Sequence, residues 1–172
     1  MELLIPGLIL VALMVWASTR IKRNAAAAFD AETVETDEFS IVKPEGFLHV
    51  LNDDSGLAFR SYSKEFGKIG NKDVRQATIE IERHSGEKLD RLKQKIEGAA
   101  ESISSVETYI HAGERAALIG STEVVDGGEF FVQRRLVTRG SYVWECRGSV
   151  LSEHKEELSD KLEKALDSVR IK

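Results

Sequence analysis

The chain has 172 residues, of which 31% are charged and 42% are hydrophobic, ordinary proportions for a globular protein. Its formal net charge of −5 predicts no nucleic-acid partner, because nucleic-acid binding requires clustered Lys and Arg. A single cysteine excludes an internal disulfide. Two prolines and no internal repeats exclude Pro-rich and solenoid architectures.

The first 23 residues differ from the rest of the chain. Leu3 to Thr19 (LLIPGLILVALMVWAST) contains no charged residue, and its 17 residues come near the length of helix that crosses a hydrocarbon core of ~30 Å. Trp16 lies near the end of this run, a position typical of the headgroup region. Residues 1–23 are therefore predicted to form one N-terminal transmembrane helix with a basic flank. A cleaved signal peptide is the alternative, but such a peptide starts with positive charge, and this chain starts with Met1 and Glu2.

The charges beside this segment predict its orientation. Arg20, Lys22 and Arg23 follow the apolar run, and no Lys or Arg precedes it. Because cations next to a span stay in the cytoplasm, we expect a single-pass protein of the cell (inner) membrane with its soluble domain in the cytoplasm. A periplasmic or other extracytoplasmic domain is the alternative.

Residues 24–38 are predicted to be an acidic linker. The segment from Phe29 to Glu38 (FDAETVETDE) carries five acids, no base and no apolar periodicity. Such a composition is typical of a solvated connection.

From Phe39 onward, strand and helix patterns alternate, and residues 39–172 are predicted to form one soluble α+β domain. Strands are expected within residues 39–47 and 57–63, and again from Val74 to Arg83, where apolar and polar residues alternate. The segment GKIGNK, residues 67–72, reads as a loop. An amphipathic helix is expected over about residues 86–103, where leucine and isoleucine recur at three- and four-residue steps.

The second half of the domain predicts a meander of strands followed by a helix. A strand is expected from Val106 to His111, and three longer strand patterns follow, over residues 114–125, 129–138 and 141–150. The glycine-rich junctions between these last three are typical of hairpin turns. The last pattern places Tyr142, Trp144, Cys146 and Val150 on one face of its strand. A final helix then carries one apolar stripe, which consists of Leu158, Leu162, Ala165, Leu166 and Val169.

These elements predict an antiparallel sheet packed with two long helices. Each helix has a single apolar stripe and must bury it against the sheet. The fold class is therefore α+β, arranged as an α/β/α sandwich and preceded by the N-terminal helix.

The same domain resembles a known superfamily. Phe39-Ser40-Ile41, followed by Pro44-Glu45-Gly46-Phe47, is similar to the opening F-S-I-x-x-P-x-G-W of PsbP/DcrB-like proteins, with Phe in place of the final Trp. The closing helix, which ends with residues 165–170 (ALDSVR), is similar to the final helix of that group. The resemblance covers about residues 38–172.

The resemblance implies an α/β/α sandwich and a non-enzymatic accessory or binding role, because members of that superfamily are mostly non-enzymatic. It carries no functional residue over to this chain. The N-terminal region lacks a lipobox cysteine, so lipid anchoring through such a cysteine is not expected.

The residues with catalytic or metal-binding chemistry form no recognisable constellation. Cys146 lies on the presumed core face of its strand, where a buried structural cysteine is common. The four histidines are scattered, without ligand partners at the spacing that metal sites use. Residues 67–72 lack the pattern of a phosphate-binding loop. We therefore expect no catalytic residue, no metal and no cofactor. The histidines are His49, His84, His111 and His154.

Four arginines near the hairpins are candidates for a partner-binding patch. Arg134, Arg135, Arg139 and Arg147 lie on two successive strands and would suit an acidic protein or lipid headgroups. Cross-strand pairing with glutamates such as Glu129 and Glu145 explains them equally well.

The expected function is that of a membrane-anchored, non-enzymatic accessory protein that binds a protein partner and assists the assembly or stability of a membrane complex. The alternatives are an exported PsbP/DcrB-like domain, or a ligand carrier or enzyme with a pocket between sheet and helices. A pocket with convergent polar groups would favour the carrier or enzyme, whereas a filled core with an apolar surface patch would favour the accessory protein.

Overall fold

The computed structural model describes residues 4–51, 53–111 and 113–172. It confirms an α+β architecture with antiparallel strands. The helices are α1 (Leu4–Ala27), α2 (Leu89–Ala99) and α3 (Lys155–Ser168), the last preceded by a 3₁₀ turn at Ser152–His154. The strands are β1 (Glu32–Glu35), β2 (Phe39–Lys43), β3 (Phe47–His49), β4 (Phe59–Ser63), β5 (Phe66–Ile69), β6 (Lys72–Arg75), β7 (Ala77–Ser85), β8 (Ser102–His111), β9 (Glu114–Val125), β10 (Gly128–Arg139), β11 (Tyr142–Leu151) and β12 (Arg170–Ile171).

A seven-stranded antiparallel sheet is the framework of the domain, with the strand order β3-β4-β7-β11-β10-β9-β8. Its outer half is the predicted meander, in which β8 to β11 follow each other in the chain. The hairpin between β9 and β10 turns through Asp126 and Gly127, which both have positive φ angles (52° and 82°). Two such residues define the type I′ turn, whose twist matches that of the flanking strands.

One face of this sheet is covered by α3, and the main core lies between them. The apolar stripe of α3 packs on alternate residues of β7 and β11, as the period-two pattern predicted. Trp144, Cys146 and Val150 are all buried on this face. We call it the α3 face.

The opposite face, which we call the α2 face, has a smaller core. Leu89, Leu92 and Ile96 of α2 pack there on four buried residues of β9, β10 and β11. Because an 11-residue helix is only about 16 Å long, α2 covers part of this face and leaves the inner strands to polar side chains. Helices on both faces confirm the predicted sandwich, although α2 is shorter than the expected 86–103.

The acidic segment predicted to be a linker contains a strand. β1 pairs with β2, with Glu32 opposite Lys43, and β2 also pairs with β12, so these three form a second sheet. The prediction of a solvated linker over 24–38 is therefore wrong for β1. Four-residue strands with exposed acidic side chains have no apolar pattern, and here the neighbouring strand supplies the backbone partners.

The junction between α1 and the domain is held by one buried lysine. The side-chain ammonium of Lys43 is fully buried and donates to the backbone oxygens of Ala28, Asp30 and Phe47 at 3.0, 2.6 and 2.9 Å. Burial lowers the pKa of Lys43, against the opposing charges of Glu32 and Asp30. The end of α1 is thus fixed to β2 and β3.

Residues 67–72, predicted to be a loop, lie mostly in the small hairpin of β5 and β6. Ile69 pairs with Lys72 across a two-residue turn in which Gly70 has a φ of 57°. The hairpin packs on the large sheet at Gly128, where an added Cβ would lie only 2.2 Å from Cδ1 of Ile69. This close approach explains why the hairpin, too short to show an alternating pattern, is ordered.

α1 spans 24 residues, and the apolar side chains described along it are exposed. Val11, Leu13, Met14, Val15 and Trp16 each expose 57–65% of their surface. Within the described residues, no helix combines the length and the apolar character that a membrane crossing requires. The predicted span begins at Leu3, which lies outside the described residues, as do the side chains of residues 4–10.

Candidate functional site

The inner strands of the α2 face carry a continuous network of ion pairs. Alternation along β7, β9, β10 and β11 places charged residues of each strand on this face, and antiparallel register sets them side by side. We call this set the charged network: Arg60, Glu80, Glu123, Arg134, Glu145 and Arg147.

Arg134 is the centre of the charged network, with a side chain that is only 8% exposed. Its Nε donates to Oε1 of Glu145 at 2.8 Å, and its Nη2 donates to Oε2 of Glu123 at 3.1 Å. Its Nη1 donates to Glu123 and, at 3.3 Å, to the hydroxyl of Ser121. Two carboxylates and one hydroxyl therefore accept hydrogen bonds from the guanidinium. The ion pairs of Arg134 with Glu123 and Glu145 thus stabilise the fold.

The charge of Arg134 also governs the protonation of Glu123. Burial alone would raise the pKa of this carboxyl, but the hydrogen bonds and charge of Arg134, together with the charge of Arg147, lower the pKa below its usual value. Glu123 is consequently ionised at neutral pH and unsuited to act as a general acid.

Arg147 and Arg60 extend the charged network toward β4. Arg147 lies 3.6 Å from Glu80 and 3.5 Å from Glu123, and Arg60 lies 3.9 Å from Glu80 and 3.0 Å from Asp53. Each of these arginines therefore has carboxylate partners within the fold.

Next to this network, the side chains of Glu82, His84 and Glu145 form a cluster with the chemistry of metal ligands. Their ligand atoms lie within 4.8 Å of one another. However, Nε2 of His84 is already hydrogen-bonded to Oε2 of Glu145 at 3.0 Å, and Arg134 holds the other oxygen of that carboxylate. The positive guanidinium that contacts Glu145 would repel a divalent cation bound there. We therefore interpret the cluster as part of the charged network. Sequence reasoning missed it because His84 and Glu145 belong to strands that pair over a long sequence separation.

The structure does not bring the four predicted arginines into one patch. Arg134 and Arg147 lie opposite each other on the α2 face, whereas Arg135 and Arg139 lie on the α3 face. Arg135 donates to Asp167 at 2.7 Å and to the carbonyl of Leu166 at 3.1 Å.

Arg139 donates to the carbonyl of Lys172 at 3.3 Å. The alternative, cross-strand pairing with glutamates, is confirmed for Glu145. Glu129 forms no ion pair among the described residues.

Cys146 lies where the alternation predicted, fully buried on the α3 face. Burial raises the pKa of its thiol to about 12, so almost no nucleophilic thiolate is present at neutral pH. The nearby charge of Arg135 opposes this shift only in part. The predicted burial of Cys146 is confirmed.

A groove opens on the α3 face of the described part of the chain. Because α3 packs mainly on β2, β10 and β11, the sheet continues beyond it through β9 and β8. A space of about 490 Å³ lies between the helix and these outer strands. We call it the α3 groove. Its side-chain lining includes Ser105, Glu107, Leu118, Phe131, Gln133, Glu163, Leu166 and Asp167.

The α3 groove combines an apolar floor with groups that lack partners. Leu118 and Phe131 form the floor, and Oε1 of Gln133 is buried without a hydrogen-bond partner. Glu107 and Glu163 stand exposed at its sides, and neither forms an ion pair with the residues that the structure describes. The groove is therefore suited to a ligand that carries both apolar surface and positive charge.

Sequence reasoning did not find this groove. Its lining comes from four elements, and its position depends on where α3 lies across the sheet. No local pattern in the sequence encodes that position.

Comparison with solved structures identifies the fold. The cyanobacterial PsbP protein (CyanoP) of Synechocystis sp. PCC 6803 is 12% identical with a TM-score of 0.58, and the match covers 85% of this chain and 94% of that one. LpqN of Mycobacterium tuberculosis, described as involved in cell envelope biogenesis, is 12% identical with a TM-score of 0.59, over 83% of this chain and 90% of that one. No protein-family model and no curated protein sequence matches the chain.

The chain therefore has a PsbP-like fold. The predicted resemblance to the PsbP/DcrB-like superfamily is confirmed for the arrangement of helices and strands. At this level of identity the comparison establishes the fold alone.

Proposed function

We propose that this chain is a non-enzymatic accessory protein that binds a segment of a partner protein in the α3 groove. The observation that carries the proposal is the groove itself, which offers an apolar floor, an unpartnered amide oxygen and two exposed carboxylates in one open space. Beside the groove, α3 buries Leu162 fully in the main core. Because the groove is open at the surface and not enclosed, it supports binding of an extended protein segment more than burial of most of a small ligand's surface.

The chemistry of the groove specifies the partner. A segment with an apolar side chain next to Lys or Arg would bury the apolar group on Leu118 and Phe131 and bring its charge to Glu107 and Glu163. A backbone N–H or a side-chain donor of the same segment would satisfy Gln133. The net charge of −5 also favours a basic partner.

The supported mode of action is binding rather than catalysis. Cys146, the candidate nucleophile, has a thiol pKa raised to about 12 by burial. His84 and the carboxylates beside it are engaged in the charged network. These residues thus support the fold, and the groove contains no histidine or cysteine in its lining.

The membrane is the second part of the proposal. The uncharged run from Leu3 to Thr19 and the exposed apolar side chains of α1 support insertion of this helix into a bilayer, with the α+β domain on the cytoplasmic side that Arg20, Lys22 and Arg23 favour. A tether of this kind would raise the local concentration of the groove beside a membrane-bound partner. An extracytoplasmic domain is the alternative that the topology experiment distinguishes.

Site-specific photo-cross-linking in cells tests the groove. A benzoylphenylalanine introduced at Leu118, on the groove floor, should give a discrete adduct whose mass differs from that of two copies of the chain. The same group at Phe66, which is 54% exposed on the β5–β6 hairpin and does not line the groove, should give none and serves as the matched control.

Charge reversal supplies the second arm of this test. Glu107→Lys combined with Glu163→Lys should abolish the adduct, while Cys146→Ser and His84→Gln should preserve it in folded protein. The absence of a discrete adduct at Leu118, or an equal adduct at Phe66, contradicts the proposed function.

A further inference from the structure

The two ends of the seven-stranded sheet differ strongly in length. One end is β3, with three residues, and the other is β8, with ten. Among the described strands, β8 pairs with β9 only, so its outer side presents unpaired backbone N–H and C=O groups. Natural proteins blunt such edges by keeping them short, as here with β3.

β8 carries no lysine or proline, the residues that most often protect an open edge. Its sequence, SISSVETYIH, has no Lys, Arg or Pro. A register shift occurs at its start, between Ile103 and Ser105, and the strand is regular from there to His111. Three apolar side chains stand exposed along one side of it: Ile103 at 39%, Val106 at 40% and Ile110 at 66%. With Glu107 as its one acidic residue, a regular edge of this length that carries an apolar row is a template for another strand.

We propose that two copies of the chain pair antiparallel through β8, with Thr108 on the two-fold axis. The occupant of the edge is a second copy because β8 is complementary to itself. With Thr108 opposite Thr108, Val106 of each copy lies opposite Ile110 of the other on the α2 face. Apolar and Thr–Thr pairs of this kind are favourable between adjacent strands.

The same register also determines which polar residues lie opposite each other on the α3 face. Glu107 of each copy then lies opposite Tyr109 of the other, and Ser105 lies opposite His111. In this register no two carboxylates lie opposite each other.

Neighbouring registers are less favourable. Centring the pair on Glu107 sets two carboxylates directly opposite each other, which is destabilising. Centring it on Tyr109 brings Glu107 to His111 but sets Ile110 opposite Thr108 and moves Val106 away from Ile110. A register shifted by one residue would pair residues that lie on unlike faces. It is excluded because the apolar row of one copy would then lie on the opposite side of the joined sheet from the apolar row of the other.

Pairing about this axis joins two seven-stranded sheets into one and keeps equivalent faces on the same side. The two α3 grooves, which Glu107 lines, therefore come to lie side by side on one surface. A dimer would present two equivalent binding grooves to one partner.

Disulfide trapping in the full chain tests the register. Residues directly opposite each other have Cβ atoms about 4.5–5.5 Å apart, a spacing that brings the Cα atoms within the range that a disulfide bridges. Thr108→Cys, at an exposed position, should form a disulfide-linked dimer under mild oxidation in detergent. The wild-type chain should not, since its one cysteine is buried.

Thr33→Cys is the matched control, because Thr33 is an exposed threonine on β1, another sheet edge. It should give at least about tenfold less linked dimer than Thr108→Cys. Equal linking at both sites, or no linking at Thr108 in folded protein, overturns the proposal.

Sedimentation of the full chain gives an independent measurement. The wild type should sediment as a dimer, and Val106→Lys with Ile110→Lys should shift it to monomer with an unchanged circular dichroism spectrum. Val124→Lys, at a residue that is 56% exposed on β9, should remain dimeric. A monomeric wild type, or a dimer that survives both β8 substitutions, refutes pairing through β8.

Discussion

Removing the guanidinium at the centre of the charged network should destabilise the fold by a predictable amount. Arg134→Met preserves much of the side-chain volume but leaves Glu123 and Glu145 without their main cation. These carboxylates are only 15% and 12% exposed. Breaking a buried ion pair by deleting one partner costs about 3–5 kcal/mol. We expect about 3 kcal/mol here, because Glu145 keeps its bond to His84 and Glu123 keeps its contact with Arg147.

The measurement is urea unfolding of the full chain in mild detergent, followed by far-ultraviolet circular dichroism. The matched control is Arg139→Met, an exposed arginine on the same strand, which should change the free energy of unfolding by no more than about 0.5 kcal/mol. Arg134→Lys should fall between the two, since an ammonium retains the charge but cannot reproduce the forked hydrogen bonds.

The free energy of unfolding of wild type and of Arg134→Met should differ by an amount that depends on pH. This dependence tests whether the difference is electrostatic. The lowered pKa of Glu123 stabilises the wild type above the unfolded-state pKa, and this contribution is lost as pH falls through the lower, folded-state pKa. In Arg134→Met the main cause of the lowered pKa is lost, and Glu123 is protonated more readily in the folded state. The difference between wild type and variant should therefore narrow as pH falls from 7 toward 4. A loss below about 1 kcal/mol at pH 7, or a difference that widens in acid, refutes the reasoning.

Four further predictions address other parts of the chain. Because burial raises the pKa of Cys146 from 9.0 to about 12, its native thiolate fraction at pH 8 should be about a thousandfold lower than in urea, and iodoacetamide labelling should slow accordingly; rapid native labelling contradicts burial. Because the raised pKa keeps the thiol protonated only in the folded state, the free energy of unfolding should fall faster in wild type than in Cys146→Ala as pH rises from 9 toward 12. An equal fall in both proteins would contradict this prediction. Lys43→Met should lower the free energy of unfolding by about 2 kcal/mol, because three carbonyls lose the ammonium donor. Lys68→Met, at a side chain that is 70% exposed, should leave it unchanged in the same urea titration. A C-terminal alkaline phosphatase fusion should be inactive and a green fluorescent protein fusion fluorescent; an active phosphatase places the domain outside the cytoplasm.

Much of the secondary structure could be predicted from local patterns. The alternation from Ala77 to Ile81 and from Tyr142 to Val150 indicates which side chains face the core. These side chains are buried as expected, except that Tyr142 is only partly buried. The stripe of α3 was equally clear, because an amphipathic helix repeats its apolar residues on one side.

The missed elements lack such patterns for physical reasons. β1 is short and acidic, and it is a strand because β2 offers unpaired backbone groups beside it. β5 and β6 are four residues each and depend on the contact of Ile69 with Gly128. In both cases a neighbour distant in the sequence supplies the stabilising contact.

The candidate sites depended on tertiary structure almost entirely. The sequence showed Arg134, Arg135, Arg139 and Arg147 close together, but alternation sends successive residues to opposite faces and divides them into two pairs. The partners that neutralise Arg134 come from two different strands.

The sequence by itself determined the class of fold, the faces of the long strands and the burial of Cys146, because side-chain periodicity follows from the geometry of each strand or helix alone. Only the tertiary structure decided that β8 is an open edge and that α3 leaves a groove beside it. The order of strands in a sheet and the placement of a helix across it result from packing among distant segments. No single segment of the sequence encodes that packing.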